Sequence, residues 1–303
     1  MFTVPKIGDI LKAKRAKGEL SLSFEVFPPK TEQGIEKLIG VVENLAQLKP
    51  DYVSVTYGAG GSTSKATLEI IKTLQNKLGL TCMHHLTLVN QKRDVLADHI
   101  KSIVDAGVTN ILALRGDPPP EFGGKFHKID GGLEYCYELI DLIREIAGDR
   151  VSIGVAGFPQ GHVQCPSKEL DTKYLKMKLD HGAEFVVTQL FFDNNIYSEY
   201  LERTRAAGID VPIVPGLLPI TDYEKLIKFC DNCGAFICQE VHDAFRPITG
   251  QVDATLAAGH DFALKQAKDL VKRGSPAVHF YCLNKIQPVR NIWKGLKSGT
   301  PAH

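Results

Sequence analysis

Apolar residues recur along this chain in two alternating rhythms. Short runs rich in β-branched and aromatic residues stand at 22–27, 52–56, 82–86, 111–114, 151–156, 185–188, 213–217 and 278–281, and they predict eight strands. Between them lie longer segments with helical apolar spacing, predicting helices over 34–48, 64–78, 91–106, 132–147, 168–181, 195–207 and 222–230. Ala106-Gly107, His181-Gly182 and Ala207-Gly208 suit helix ends, where glycine takes the left-handed cap conformation at little cost. Most strand starts are about 30 residues apart, the length of a strand, a helix and two loops. The last interval is about twice that, so more than one helix is expected in it.

Eight βα units in series predict an α/β fold, a (β/α)8 TIM barrel, as a single domain over residues 1–303 with an extra N-terminal helix. A doubly wound sheet is the rival, because strand order cannot be read from one sequence. A nucleotide-binding doubly wound fold carries G-x-G-x-x-G after its first strand, and nothing after Phe27 matches it. Gly58-Ala59-Gly60-Gly61-Ser62, after the second strand, lacks the third glycine at the required spacing. The chain ends at His303 soon after the eighth strand, so the expectation is a catalytic barrel without a regulatory domain.

Composition narrows the partners. With 36 Lys and Arg against 35 Asp and Glu, the net charge of +1 offers no field for nucleic acid or an anionic membrane. Lys6, Lys12, Lys14, Arg15 and Lys17 make the N-terminus basic, but Asp9 and Glu19 interrupt the run; it reads as a solvated amphipathic helix rather than a transit peptide. No apolar run approaches the roughly 18 residues that span a bilayer, and a cytoplasmic location is expected. Seven cysteines, an odd number, fit reduced thiols better than a disulfide framework. Cys230, Cys233, Cys238 and His242 have spacing that can hold zinc, but the helical apolar pattern of Tyr223 to Cys233 favours core thiols, and no metal is expected.

In a barrel, chemistry sits where strands end. Polar residues recur there: Glu25, Thr56, His84 and His85, Arg115 and Asp117, Gln189, with His162 in the loop after the fifth strand. Any one of them alone is explained by a strand-end hydrogen bond; together, on one face, they point to a site. Glu25 stands out because it interrupts Phe24-Glu-Val-Phe27 just before Pro28-Pro29. A carboxyl partly desolvated by those rings suits a general acid. The Arg115-Gly116-Asp117 triplet also matches an adhesion tripeptide, a reading that a cytoplasmic chain disfavours.

At these residues the chain resembles the methylenetetrahydrofolate reductase family, in order and over nearly its whole length. The segments that carry the resemblance are Ser23 to Lys30, Val53 to Ala59, His84 to Thr87, Ala113 to Pro118, Val155 to Pro159 with His162, Thr188 to Asp193, Val214 to Pro219 and His279 to Asn284. The resemblance implies an FAD-containing barrel that takes hydride from NADH or NADPH. It passes the hydride to 5,10-methylenetetrahydrofolate, making 5-methyltetrahydrofolate by ping-pong kinetics, a one-carbon step toward methionine. It implies that Glu25 protonates folate N10, that Asp117 binds the pterin and tunes the flavin, and that Gln189 positions folate and nicotinamide in turn. Flavin contacts carry over to Thr56, Tyr57, Ala59, His85, Arg115, Gly116, Asp117, Tyr135, Cys136, Phe158, His162, Cys165, Asp171 and Lys178. Among these, Arg115, His162 and Lys178 would meet phosphates and Asp171 a ribose hydroxyl. Lys285 would meet the folate tail glutamate, Phe229 would stack on nicotinamide or pterin, and Lys225 belongs to the same substrate side.

Against the bacterial pattern, Phe158 replaces a Tyr, Met177 an Arg, Lys225 a Gln and Lys285 an Arg. Lysine at 285 keeps the charge but gives up bidentate geometry. Such barrels commonly assemble as homo-oligomers, and that is the expectation. Two other readings stand beside this one: a pterin-dependent methyltransferase barrel, and a folate- or flavin-binding subunit of a larger complex with a different electron donor.

Overall fold

The computed structural model describes residues 4–57, 64–117 and 126–297. Its strands are β1 (Ser21–Val26), β2 (Tyr52–Val55), β3 (Cys82–Thr87), β4 (Asn110–Leu114), β5 (Ser152–Gly157), β6 (Phe185–Thr188), β7 (Ile213–Val214), β8 (Gly216–Leu217) and β9 (Ala277–Tyr281). All pair in parallel, in the order β7-β6-β5-β4-β3-β2-β1-β9-β8.

β7 and β8 are the two halves of the strand expected over 213–217. Pro215 divides them, since it has no N–H to give to a ladder. Its carbonyl still accepts from the His279 N–H at 2.9 Å. β7 pairs with β6 and β8 with β9, so the sheet closes on itself across this broken stave. The strand order is that of a TIM-like barrel and rules out the doubly wound alternative.

Alternation along each strand divides the side chains between two environments. Leu22, Phe24 and Val26 of β1 and Val53 and Val55 of β2 pack outward, with Leu38, Val42 and Leu45 of α2 (Glu32–Ala46). The intervening residues face the barrel axis. At its N-terminal end the axis is filled by Tyr52, Met83, Leu112, Phe185, Val187, Val214 and Ala277.

The expected N-terminal helix, α1 (Ile7–Lys17), plugs that end. Ile7 and Leu11, one turn apart, join the axial cluster, and each such buried side chain contributes roughly 1.5–3 kcal/mol. The first turn has N–H groups with no helical partner. The barrel floor supplies two: Ile7 N–H donates to Asn110 Oδ1 at 2.7 Å and Gly8 N–H to Ser152 Oγ at 3.1 Å. A Cβ on Gly8 would lie 2.6 Å from Glu184 Oε2 and 3.0 Å from Ser152 Oγ, so a larger residue here would push aside the side chains beneath the helix's first turn.

The other helices follow the sequence pattern with small shifts at their ends. α3 (Ser64–Leu78), α4 (Arg93–Asp105), α6 (Lys168–Asp180) and α7 (Asn194–Ala206) lie where the spacing predicted. α5 (Cys136–Ala147) starts four residues late, because the Glu138 carboxylate takes the Glu134 and Tyr135 N–H groups, both at 2.7 Å, and caps the helix there. α8 (Tyr223–Cys233) runs one turn longer than predicted, until Gly234 at φ +70° ends it. The long last interval holds α9 (Gln239–Phe245) and α10 (Val252–Lys272), and α11 (Ile286–Lys297) follows β9. Gly107, Gly182 and Gly208 all have the left-handed φ expected of helix ends. Among the described residues no helix is long and apolar enough to cross a membrane.

Candidate active site

Three groups of polar side chains gather at the C-terminal end of the barrel. The first surrounds Glu25, near the end of β1. Its Oε2 lies 3.6 Å from His85 Nε2 and 4.0 Å from His279 Nε2. The carboxyl is about one-fifth exposed, whereas both imidazoles are buried. Burial pushes the His85 pKa down to about 4, with Glu25 pulling it back up and His279 pushing it further down. His85 Nε2 has no hydrogen-bond partner. Tyr281 closes the group; its hydroxyl donates to the Thr188 carbonyl at 2.6 Å, and burial, then the Glu25 charge, drive its pKa far up.

The second group is cationic and lies where β4 and β5 end. Arg115 donates to Gln164 Oε1, and its guanidinium sits 4.9 Å from the Phe126 ring centre. Lys178, on α6, donates to the Ala156 carbonyl at 2.7 Å, which leaves two of its N–H bonds available. His162 Nδ1 accepts from the Gln164 N–H at 3.1 Å, and Phe158 meets its ring edge-on at 4.7 Å. Burial, then the Arg115 and Lys178 charges, lower the His162 pKa. Burial likewise lowers the pKa of Lys178, against the pull of Cys136 and Asp171. Asp171 is buried, which raises its pKa while Lys178 opposes the rise. The Cys136 thiol donates to the Ala113 carbonyl at 3.2 Å, and burial raises its pKa.

Gly116 joins Arg115 to the exposed Asp117 at φ +86°. A Cβ there would come within 2.6 Å of Val89 and 2.8 Å of Thr87, so only glycine allows this turn. Tyr135, exposed at the start of α5, stacks on Tyr137 at 5.5 Å. Cys165 lies in the loop before α6, its thiol donating to the Ser167 carbonyl at 3.4 Å.

The third group lies at the start of α8 and the exit of β9. Lys285 Nζ donates to Thr221 Oγ1 at 2.9 Å, beside a cleft lined by Pro219, Tyr281, Leu283 and Pro288. Lys225 forms an exposed ion pair with Asp222 at 2.7 Å, and Phe229 is exposed on α8. Gln189, at the end of β6, is half-buried and its Oε1 accepts from the Leu190 N–H at 3.0 Å.

One expected flavin contact does not present its side chain here. Tyr57 is buried among the outward core residues, its hydroxyl bonded to His99 Nδ1 at 2.9 Å. Ala59 lies outside the described residues. Thr56 follows β2, its N–H donating to the Val26 carbonyl at 2.9 Å. His84 points outward, its ring 5.7 Å from that of Tyr57.

The zinc spacing is not gathered: among the described residues no three His, Cys, Asp or Glu side chains are placed to hold a metal ion. Cys230 lies in an apolar cluster with Leu226, Val241 and Phe245, as the core-thiol reading expects, and His242 bonds to the Tyr223 hydroxyl at 2.6 Å.

Set against known proteins, the sequence profile of the methylenetetrahydrofolate reductase family matches residues 9–297. The chain belongs to that family. Methylenetetrahydrofolate reductase (NADH) 1 of Arabidopsis thaliana is 37% identical over 92% of this chain and 48% of its own length. The 5,10-methylenetetrahydrofolate reductase of Pectobacterium carotovorum is 35% identical over 89% of this chain and 88% of its own. The chain thus spans about half the length of the plant relatives and most of the bacterial one. A protein from Clostridium thermocellum that binds two copies of 5-methyl-5,6,7,8-tetrahydrofolic acid has a TM-score of 0.64 at 14% identity, over 95% of this chain and 98% of that one. At that identity the likeness speaks for the barrel alone.

Within the methylenetetrahydrofolate reductase family, two of this chain's departures lie on the cationic side of the site. Phe158 packs on His162 without a hydroxyl to offer, and Met177 is exposed on α6. Sequence reasoning assigned no role to Ser23, His279 or Tyr281. Alternation carried the missed signal: on β1 Ser23 shares the face of Glu25, and on β9 His279 shares that of Tyr281.

Proposed function

We propose that this chain reduces 5,10-methylenetetrahydrofolate to 5-methyltetrahydrofolate in the cytoplasm, taking its electrons from NADH or NADPH through bound FAD. The observation that carries this reading is the position of Glu25: a carboxyl at the barrel mouth between two buried imidazoles, with a separate cationic group where β4 and β5 end.

The residues present fit FAD. Arg115, His162 and Lys178 can hold its phosphates and Asp171 a ribose hydroxyl, while the Gly116 turn at φ +86° carries the chain from Arg115 to Asp117. Buried His85 Nε2 still needs a partner, which a polar ring edge can supply. When bound, the flavin supplies a two-electron carrier that accepts hydride from reduced nicotinamide and yields it to folate in a separate half-reaction.

The chain's own part in the folate step is to move a proton. Glu25 gives its proton to folate N10; the N10–H bond forms as the bond from N10 to the methylene carbon breaks, leaving an iminium on the substrate. That iminium carbon is the electrophile that hydride from a bound reduced flavin would convert to the methyl group. Asp117 binds the pterin, and Lys285 holds the tail carboxylate with Lys225 and Phe229 on the same side. Gln189 serves both substrates in turn.

The names of the plant relatives favour NADH as donor. The test is optical: the purified protein should be yellow, bleach with NADH or NADPH, and recover its colour on adding 5,10-methylenetetrahydrofolate without oxygen. A protein that gains no flavin on reconstitution would overturn the reading. One that holds flavin but accepts electrons from neither nucleotide would favour a subunit served by another donor.

A further inference from the structure

We propose that His279, oriented by Ser23, is a positioning residue for Glu25 that holds its carboxyl in the arrangement from which the proton is released. This rests on the reading of Glu25 as the folate acid.

The barrel register creates the arrangement. β1 and β9 are parallel neighbours, with Ser23 opposite His279 and Glu25 opposite Tyr281. Ser23 and His279 therefore sit directly below the acid, on the same inward face. Ser23 Oγ lies 2.8 Å from His279 Nδ1 and 3.4 Å from the Val278 carbonyl. A serine has one proton to give. Donated to Val278, it leaves the hydroxyl to receive the Nδ1 proton, so Nε2 keeps a lone pair facing Glu25. Only a carboxyl that carries its proton can use that lone pair as an acceptor.

The imidazole has little freedom to serve anything else. Its side chain is 1% exposed, stacked on Tyr52 at 6.0 Å and met edge-on by Tyr281 at 5.3 Å. At 4.0 Å from Glu25 Oε2 it is not yet hydrogen-bonded. The terminal torsion of glutamate is soft, and catalytic hydrogen bonds commonly tighten when substrate closes a site. Among the described residues the titratable groups facing this assembly are Glu25 on β1, Tyr52 on β2, His85 on β3, Tyr281 on β9, Cys282 just after β9, whose thiol donates to the Glu25 carbonyl at 2.9 Å, and Cys233 on α8, which acts on Tyr281. Among the described residues the basic groups within 4.0 Å of the Glu25 carboxyl are the two imidazoles, His85 and His279.

The test compares Ser23→Ala and His279→Gln with the parent, each loaded with FAD, by anaerobic stopped-flow of the two half-reactions. For both variants the limiting rate of folate reduction should fall about tenfold, and its pH profile should move to lower pH by roughly one unit. Folate affinity and the NADH half-reaction should stay within about twofold of the parent, a separation that a general loss of structure would not give. Ser23→Ala removes a single oxygen, and it decides the question should His279→Gln fail to fold. Folate rates and pH profiles equal to the parent's, a shift to higher pH, or an equal slowing of both half-reactions would each overturn the proposal. Glu25→Gln separates the two ideas: if it still reduces folate, the acid assignment itself fails. If it does not, while Ser23→Ala and His279→Gln match the parent, only the role of His279 fails.

Discussion

The Nε2 atom of His85 lies 3.6 Å from Oε2 of Glu25, and no hydrogen bond satisfies it. Burial holds this imidazole neutral to about pH 4, against an ordinary value of 6.5. The unfolded chain therefore binds the proton first as the pH falls. The stability tied to His85 is fully present above about pH 6.5 and is lost toward pH 4, on the order of 3 kcal/mol in all. Buried His84, pushed down to about 3, acts in the same direction. Urea unfolding midpoints measured from pH 7 to pH 4 should fall more steeply for the parent than for His85→Gln. Equal slopes would contradict this account.

The cationic group makes a second prediction. If Arg115, His162 and Lys178 meet the flavin phosphates, Lys178→Met should weaken FAD binding by about tenfold to a hundredfold, since charge-assisted hydrogen bonds contribute roughly 1.5–3 kcal/mol. Met177→Arg, at an exposed position on the same helix, should tighten binding severalfold. Fluorescence titration of the apoprotein with FAD checks both. Unchanged affinity in Lys178→Met would remove the phosphate role.

Asp117 is exposed beside Gly116 and holds negative charge near the proposed flavin. Asp117→Asn should slow folate reduction and raise the flavin midpoint potential by roughly 30 mV, about 1.4 kcal/mol for a two-electron couple. Potentiometric titration reads this directly, and an unmoved potential would end the electrostatic part of the assignment.

Thiol reactivity should separate the cysteines of α8. Cys230 and Cys233 titrate as a pair whose side-chain interaction lowers the Cys233 pKa to about 7 and pushes the Cys230 pKa up. Burial pushes the Cys282 thiol up to about 12 and that of Cys82 further. Alkylation with iodoacetamide at neutral pH, mapped by mass spectrometry, should modify Cys233 well ahead of Cys230, Cys82 and Cys282. Preferential labelling of Cys230 would contradict this order of reactivity.

How far the sequence could be read depended on the kind of signal. Short β-branched and aromatic runs located every stave of the barrel, because strands covered by helices outside and filled inside are apolar on both faces. They did not show that Pro215 splits one stave in two, although its missing N–H was in plain view. Tyr57 was taken as a flavin contact by resemblance, yet alternation from Tyr52 and Ser54 puts its side chain among the outward core residues. His279 was passed over for the opposite reason. Its neighbour Ser23 is 256 residues away, and only strand order brings the two together. Glu25 was legible because a charged residue in an apolar strand needs an explanation.

The most direct test of the account is the folate half-reaction of Glu25→Gln, followed by flavin absorbance in anaerobic stopped-flow. The account predicts a variant that keeps FAD and is reduced by NADH at close to the parent rate, yet whose reduced flavin is reoxidised by 5,10-methylenetetrahydrofolate at least about a hundredfold more slowly. Reoxidation at the parent rate would contradict it.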